Sequence, residues 1–163
     1  MNVLPDDAPR PREPSDFPPR GPNSLAGFWA RAGARTVDVI IVGVPGLLVV
    51  IPFATYKGNQ VTSLPQWVFV PFMAMFATYE IVLLSWTGQT LGKMLTGVRV
   101  AQLVNGRHPE VGQSALRSLV PLTVLAIPAL ALAWPLIYLT SLFNPMGRGL
   151  HDQAGGTVVV RSR

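Results

Sequence analysis

The stretch from Trp67 to Trp86 constrains this chain more than any other: about 20 largely apolar residues with Glu80 as the one charge and a tryptophan at each end. Hydrocarbon offers no hydrogen-bond partner to backbone N–H and C=O groups, so such a run buried in lipid must be a helix. At ~1.5 Å per residue its length matches the thickness of a bilayer core, and the two indole rings belong at the headgroup level. A second run, Val37 to Phe53, is about 17 residues long and follows an aromatic pair, Phe28 and Trp29. A helix beginning near Ser24 would lie partly among the headgroups before entering, and Pro45-Gly46 marks a kink rather than an end.

The third run, Ser118 to Phe143, is about 26 residues and carries Pro121, Pro128 and Pro135. As one tilted span it would put Arg148, Arg161 and Arg163 on the side opposite the basic loop 87–117, against the positive-inside tendency. As a re-entrant hairpin it would return the C-terminus and let Thr157-Val-Val-Val-Arg161 pair with Val98–Leu103. The hairpin is favoured. The expected fold is an all-α membrane protein with two clear transmembrane helices, a third apolar segment that spans or folds back, and a small strand-like C-terminal segment.

Composition agrees with a lipid-facing surface: 49% of residues are hydrophobic and only 13% are charged. The net charge of +5 comes from 13 Lys and Arg against 8 Asp and Glu. These bases sit beside apolar runs, so topology explains them better than nucleic acid does. With no Cys and two His, neither a disulfide, a thiolate metal site nor another metal centre is expected, and no cofactor. Loop 87–117, with Lys93, Arg99, Arg107 and Arg117 against Glu110, should be cytoplasmic. Within it Val98–Val104 alternates weakly before the Asn105-Gly106 turn signal, and Gly112–Leu119 reads as a short amphipathic helix. Residues 54–66 read as a short polar loop holding Lys57.

Residues 1–24 form a separate tail. Seven prolines among Asp6, Asp7, Glu13 and Asp16 keep it from forming a helix or burying a core, and it has no secretory signal pattern. It is expected to be extended and disordered alone, and to serve as a strap along a partner. The membrane domain is residues 25–161.

Arg31, Arg35 and Asp38 stand at i, i+4 and i+7, on one helical face. An unpaired Asp in a membrane helix costs ~2.5–3.5 kcal/mol on insertion scales, so Asp38 needs a partner. Arg35 and Arg31 are local candidates; Arg148, close to Asp152 in Gly147-Arg-Gly-Leu-His-Asp-Gln-Ala-Gly-Gly-Thr157, is a distant one.

Three motifs in order, Ala26-Gly-Phe-Trp-Ala-Arg31 with Asp38, Gly88-Gln-Thr-Leu-Gly-Lys93 through Gly97-Val-Arg-Val100, and Leu150-His-Asp152 through Gly156-Thr-Val-Val-Val160, resemble the RDD family of small bacterial membrane proteins. The resemblance covers residues 25 to 161. It makes Arg31, Asp38 and Asp152 the name-giving residues, with Arg35 the weaker candidate for the Arg. It implies a multi-pass protein of the bacterial plasma membrane, here with the N-terminus and loop 87–117 in the cytoplasm. Transport has been suggested for some members, and no shared reaction is established.

The charges Arg31, Arg35, Asp38, Arg148 and Asp152 read as a structural clasp joining the first helix to the C-terminal segment. The competing reading is an ion path through Asp38, Glu80 and Asp152, but a path needs polar side chains through the membrane depth, and Asp38 is the one acid of the first run. Gly88–Met94 departs from a phosphate-binding loop in spacing and lacks its Ser or Thr, so a membrane-surface turn with Lys93 at the headgroups is expected. His151 reads as a satisfied interfacial histidine and Glu80 as the partner of a base in the following loop. No residue is assigned a catalytic role. The functional expectation is a non-catalytic accessory subunit of a larger membrane complex, for example a respiratory assembly, in contact with lipid and other membrane subunits. The alternative is a small cation or proton transporter using Asp38 and Asp152.

Overall fold

The computed structural model describes residues 11–63, 65–126, 132 and 134–163. The protein is mostly helical. Helix α1 (Phe28–Asp38), a π-helical turn (Val39–Gly43), α2 (Val44–Val50) and a 3-10 turn (Ile51–Phe53) run on as one stretch of 26 residues. A proline ring clashes with the carbonyl four residues before it, and the widened π turn directly ahead of Pro45 relieves that clash without ending the helix. Helix α3 (Phe69–Thr87) is the second long apolar helix, and both are long and apolar enough to cross a membrane. Their outer faces are apolar too: Leu48, Val49 and Val70 are each about two-thirds exposed, as lipid-facing side chains are when the lipid is removed.

The connection between these helices is a β-hairpin and not the expected plain loop. Strand β1 (Thr55–Lys57) pairs antiparallel with β2 (Gln60–Ser63) around Gly58, whose φ is 62°. The turn signal was present in Gly58-Asn59, a pair suited to two-residue hairpin loops.

Beyond α3 the chain turns at Gly88, forms the short helix α4 (Leu91–Thr96), turns again at Gly97 and enters β3 (Val98–Gln102). Helix α5 (Val111–Ala126) holds Pro121; Pro128 lies outside the described residues. Then follow α6 (Trp134–Leu139), a 3-10 turn (Thr140–Phe143), α7 (Leu150–Ala154) and β4 (Thr157–Arg161). Strand β4 pairs antiparallel with β3, from Val98 opposite Arg161 to Gln102 opposite Thr157. The residues before and after the third apolar run therefore meet in one sheet.

That sheet is apolar on both faces, as the unbroken Val158-Val159-Val160 requires. On one face Val98, Val100 and Val159 pack with Ala26, Ala34 and Leu84, joining the sheet to α1 and α3. On the other, Val158, Val160, Ala101 and Leu103 pack around Phe17. The expectation of a tail disordered on its own is corrected for its described part, residues 11–24, which lies on the chain's own sheet. Asn23 N and Ser24 O bond to Arg161 at 2.9 Å each, Ala26 N donates to Val159 O at 3.0 Å, and Arg12 N donates to Leu103 O at 3.2 Å. The prolines forbid a helix but not an extended edge strand anchored by one aromatic ring. Residues 1–10, the rest of the supposed strap, lie outside the described residues.

Candidate functional site

The charged side chains gather where α1, α3, α4, α5 and α7 converge below the sheet. Asp38, the last residue of α1, is fully buried. Its Oδ1 accepts hydrogen bonds from Tyr79 Oη and the Gly92 backbone N–H, both at 2.8 Å, and its Oδ2 accepts from Thr90 Oγ1 at 2.5 Å. Lys93 Nζ stands 3.7 Å from Oδ2. The local candidates Arg35 and Arg31 are thus not the ion partners of Asp38, nor is Arg148; the Gly88–Lys93 segment supplies its partners. Lys93 does not sit at headgroups as expected. It is buried, donates to Thr90 Oγ1 at 3.1 Å and also faces Glu80 Oε1 at 3.8 Å. Burial pushes its ammonium down to about 8, with the charges of Glu80 and Asp38 opposing the shift.

The approach of α4 to α1 depends on a missing side chain. A Cβ on Gly92 would stand 2.9 Å from Asp38 Cγ and collide with the Ala34 carbonyl oxygen. Glycine is what lets the α4 backbone reach the carboxylate.

Arg35 turns to the other helix. Its Nη1 bonds Glu80 Oε2 at 3.0 Å, and its guanidinium lies 4.7 Å from the Phe76 ring centre and 5.4 Å from that of Tyr138. Glu80 therefore joins α1, through Arg35, to α4, through Lys93.

A second cluster surrounds Asp152, the third residue of α7. Oδ2 accepts the Gly149 N–H at 3.1 Å and so caps α7, while Oδ1 is paired with Arg117 Nη1 from α5. Arg31 is 3.9 Å from Oδ2 but spends most of its donors on backbone: Nη1 on Gly147 O, and Nη2 on Val159 O at 3.1 Å and Met146 O at 3.3 Å. Arg148 likewise bonds the Thr157 carbonyl at 2.8 Å and the Asp152 carbonyl at 3.3 Å rather than any carboxylate among the described residues. The single clasp read from the sequence is thus two clusters, with Asp38 in one and Asp152 in the other. Arg117, read as an ordinary loop base, is the main partner of Asp152; the available signal was Ser114, Arg117 and Ser118 at i, i+3 and i+4, one polar face on a largely apolar helix.

His151 is buried with Nε2 at 3.6 Å from Asp152 Oδ2, its ring 4.7 Å from that of Tyr138. Its Nδ1 has no hydrogen-bond partner among the described residues, so it is not the satisfied histidine expected. Desolvation pushes its pKa well below the usual range, and the charge of Arg117 adds to that, so the ring is neutral.

Between the two clusters lies a cavity of about 390 Å³, lined by residues of α1, α3, α4, α5, α6 and α7. All these charges form one layer at one end of the long helices: Asp38 bonds residues that follow α3, and Glu80 lies within two turns of its last residue, Thr87. The remainder of both helices, residues 39–53 and 69–79, carries no charged residue.

The model of the RDD family matches residues 25–156. The chain is similar to the membrane protein YteJ of Bacillus subtilis, 26% identical over 145 residues that cover 86% of this chain and 84% of YteJ. It is also similar to YckC of the same organism, 32% identical over 141 residues covering 82% of this chain and 83% of YckC. No solved structure gives a significant match.

Proposed function

The chain belongs to the RDD family of membrane proteins, and from that premise we propose that it is a non-catalytic accessory subunit of a larger bacterial membrane complex. The supporting observation is where the charges act. Each acid of the layer bridges separate elements: Asp38 links α1 to α4, Glu80 links α3 to both, and Asp152 links α7 to α5. Removing one partner from such a buried pair strands the other charge, at a cost of ~3–5 kcal/mol. The layer thereby ties the ends of the helices together and leaves two long apolar faces for lipid and neighbouring helices.

In this reading the third run folds back as a re-entrant hairpin, since β3 and β4 share a sheet. The sheet, the tail and loop 87–117 lie in the cytoplasm and the β1–β2 hairpin on the far side. The alternative, a cation or proton path through Asp38, Glu80 and Asp152, has its carriers in one layer. From Asp38 to Phe53 is roughly 22 Å of helix at ~1.5 Å per residue without a charge to hand an ion on.

The test is extraction of the tagged protein from its native membrane in mild detergent. Stoichiometric recovery with other integral membrane chains is expected; recovery as a free monomer would overturn the reading. Proton or cation flux in reconstituted vesicles that disappears in Asp38→Asn would favour the transporter instead.

A further inference from the structure

The cavity between the clusters carries an imbalance of charge. Four cationic side chains border it, Arg31, Arg35, Lys93 and Arg117, whereas the bordering carboxylates are Glu80 and Asp152 alone. Adding Asp38, which lies behind Lys93, still leaves one cation in excess. His151 offers no compensation, because it is neutral or positive and never negative. A buried charge without a counter-charge is costly, so a polar interior of this kind holds either a different protonation state or an anion. The three arginines keep their protons, and Lys93, although burial pushes it down to about 8, is still mostly charged at neutral pH, which favours the anion.

The donors for one are in place. The Nε atoms of Arg31, Arg35 and Arg117 are buried with no hydrogen-bond partner among the described residues, and all three side chains border the cavity. Native structures rarely leave several such groups unpaired within one small volume. Guanidinium groups offer several donors in a plane and fit oxyanions. The rest of the wall is apolar, with Phe28, Ala32 and Val39 on one side and Pro135 and Leu139 on the other. A cavity of about 390 Å³ has room for more than a bare tetrahedral oxyanion.

We propose that this cavity is a binding site for a phosphate oxyanion, held by Arg31, Arg35 and Arg117, with an apolar substituent of the ligand lying along Phe28, Val39 and Leu139. The phosphate belongs to an anionic lipid headgroup or is free in solution, and the two sources are separable. The site stands on the cavity alone and does not depend on the accessory-subunit reading; a free monomer that binds the anion would overturn that reading and leave this one intact.

The experiment uses the full chain purified in mild detergent. Its Tm is followed with phosphatidylglycerol, with phosphatidylcholine, and with sodium phosphate against sodium chloride at equal ionic strength. Phosphatidylglycerol should raise Tm at a concentration at least tenfold below that needed for phosphatidylcholine. Ala32→Phe, and separately Ser141→Phe, fill the cavity from positions that belong to no ion pair among the described residues and should abolish the difference. An effect of sodium phosphate equal to that of the lipid, also lost on filling, supports the oxyanion site and assigns it to free phosphate. Equal responses to the two lipids with no response to phosphate would overturn the proposal, as would lipid selectivity that persists in both filled variants. Native mass spectra of the wild-type chain give a readout that does not depend on the variants folding: one retained phosphatidylglycerol or phosphate per chain supports the site, and a bare chain overturns it.

Discussion

Asp152 shows what a residue can do that its neighbours in sequence do not reveal. Its motif pointed to Arg148, four residues away, but the side chain caps its own helix and takes its charge partner from α5, 35 positions earlier at Arg117. Pairings of that sequence separation are decided by how helices pack, which no local spacing records. Asp38 is the same kind of case, since its ligands come from Tyr79 and the Thr90–Lys93 segment. The two acids have no direct partner in common, and this fixes an expectation for unfolding in a detergent titration. Asp152→Ala and Arg117→Ala should each cost ~3–5 kcal/mol and the double variant clearly less than their sum, because each strands the other. Asp38→Ala combined with Asp152→Ala should instead add to within ~0.5 kcal/mol. Strong coupling between the two acids would reunite them in one clasp.

His151 gives a pH dependence at the same scale. Its folded-state pKa is depressed by burial and by the charges of Arg117, Arg35 and Lys93, against Glu80, with the Asp152 carboxylate 3.6 Å from Nε2 and the Tyr138 ring against it. As pH falls through ~6.5 the unfolded chain binds a proton that the folded chain refuses. The unfolded state then holds more protons, so stability present at pH 7.5 is lost on acidification, at up to ~1.4 kcal/mol per pH unit. Between pH 7.5 and 5, Tm of the wild type should fall more steeply than that of His151→Phe. Parallel profiles would mean that the histidine is protonated in the fold.

Among the elements, those defined by local pattern were legible and those defined by contact were not. The Trp-bracketed α3, the strand at Val98 and the Thr157–Arg161 strand each follow from length, flanking residues or β-branched content. The tail was misread because its prolines speak to helix propensity, whereas its docking depends on Phe17, the one aromatic side chain in residues 1–24, finding Leu103 and Val160. Helix α4 was misread in a related way: Gly92 looked like part of a surface turn but marks the point of closest approach to α1. Gly92→Ala should lower stability by more than ~2 kcal/mol, since the new methyl meets backbone and a buried carboxylate that cannot give way. Gly112→Ala in α5 meets nothing within 4 Å. By helix propensity alone it should be neutral or stabilising by up to ~1 kcal/mol. Thermal unfolding of the two variants side by side separates the helix contact from the general effect of glycine replacement.

For the whole molecule, the placement of charge and the course of the chain imply one another. In the proposed topology the third apolar run brings α7 back to the end from which α5 departs, which agrees with the Arg117–Asp152 pair between α5 and α7 and with the pairing of β3 with β4. In the same proposed topology the β1–β2 hairpin, joining the opposite ends of the two long helices, faces the other compartment. The absence of cysteine from the sequence makes this directly testable. Arg107→Cys and Gln153→Cys are exposed positions on the sheet side, and Asn59→Cys is an exposed position at the hairpin tip. A membrane-impermeant maleimide added to intact cells should label Asn59→Cys alone, and should reach the other two only after the membrane is opened. Labelling of Gln153→Cys together with Asn59→Cys would require the third run to cross the bilayer once. The sheet and the Arg117–Asp152 pair would then have to come apart in the membrane, since a chain that crosses there cannot also return α7 to α5.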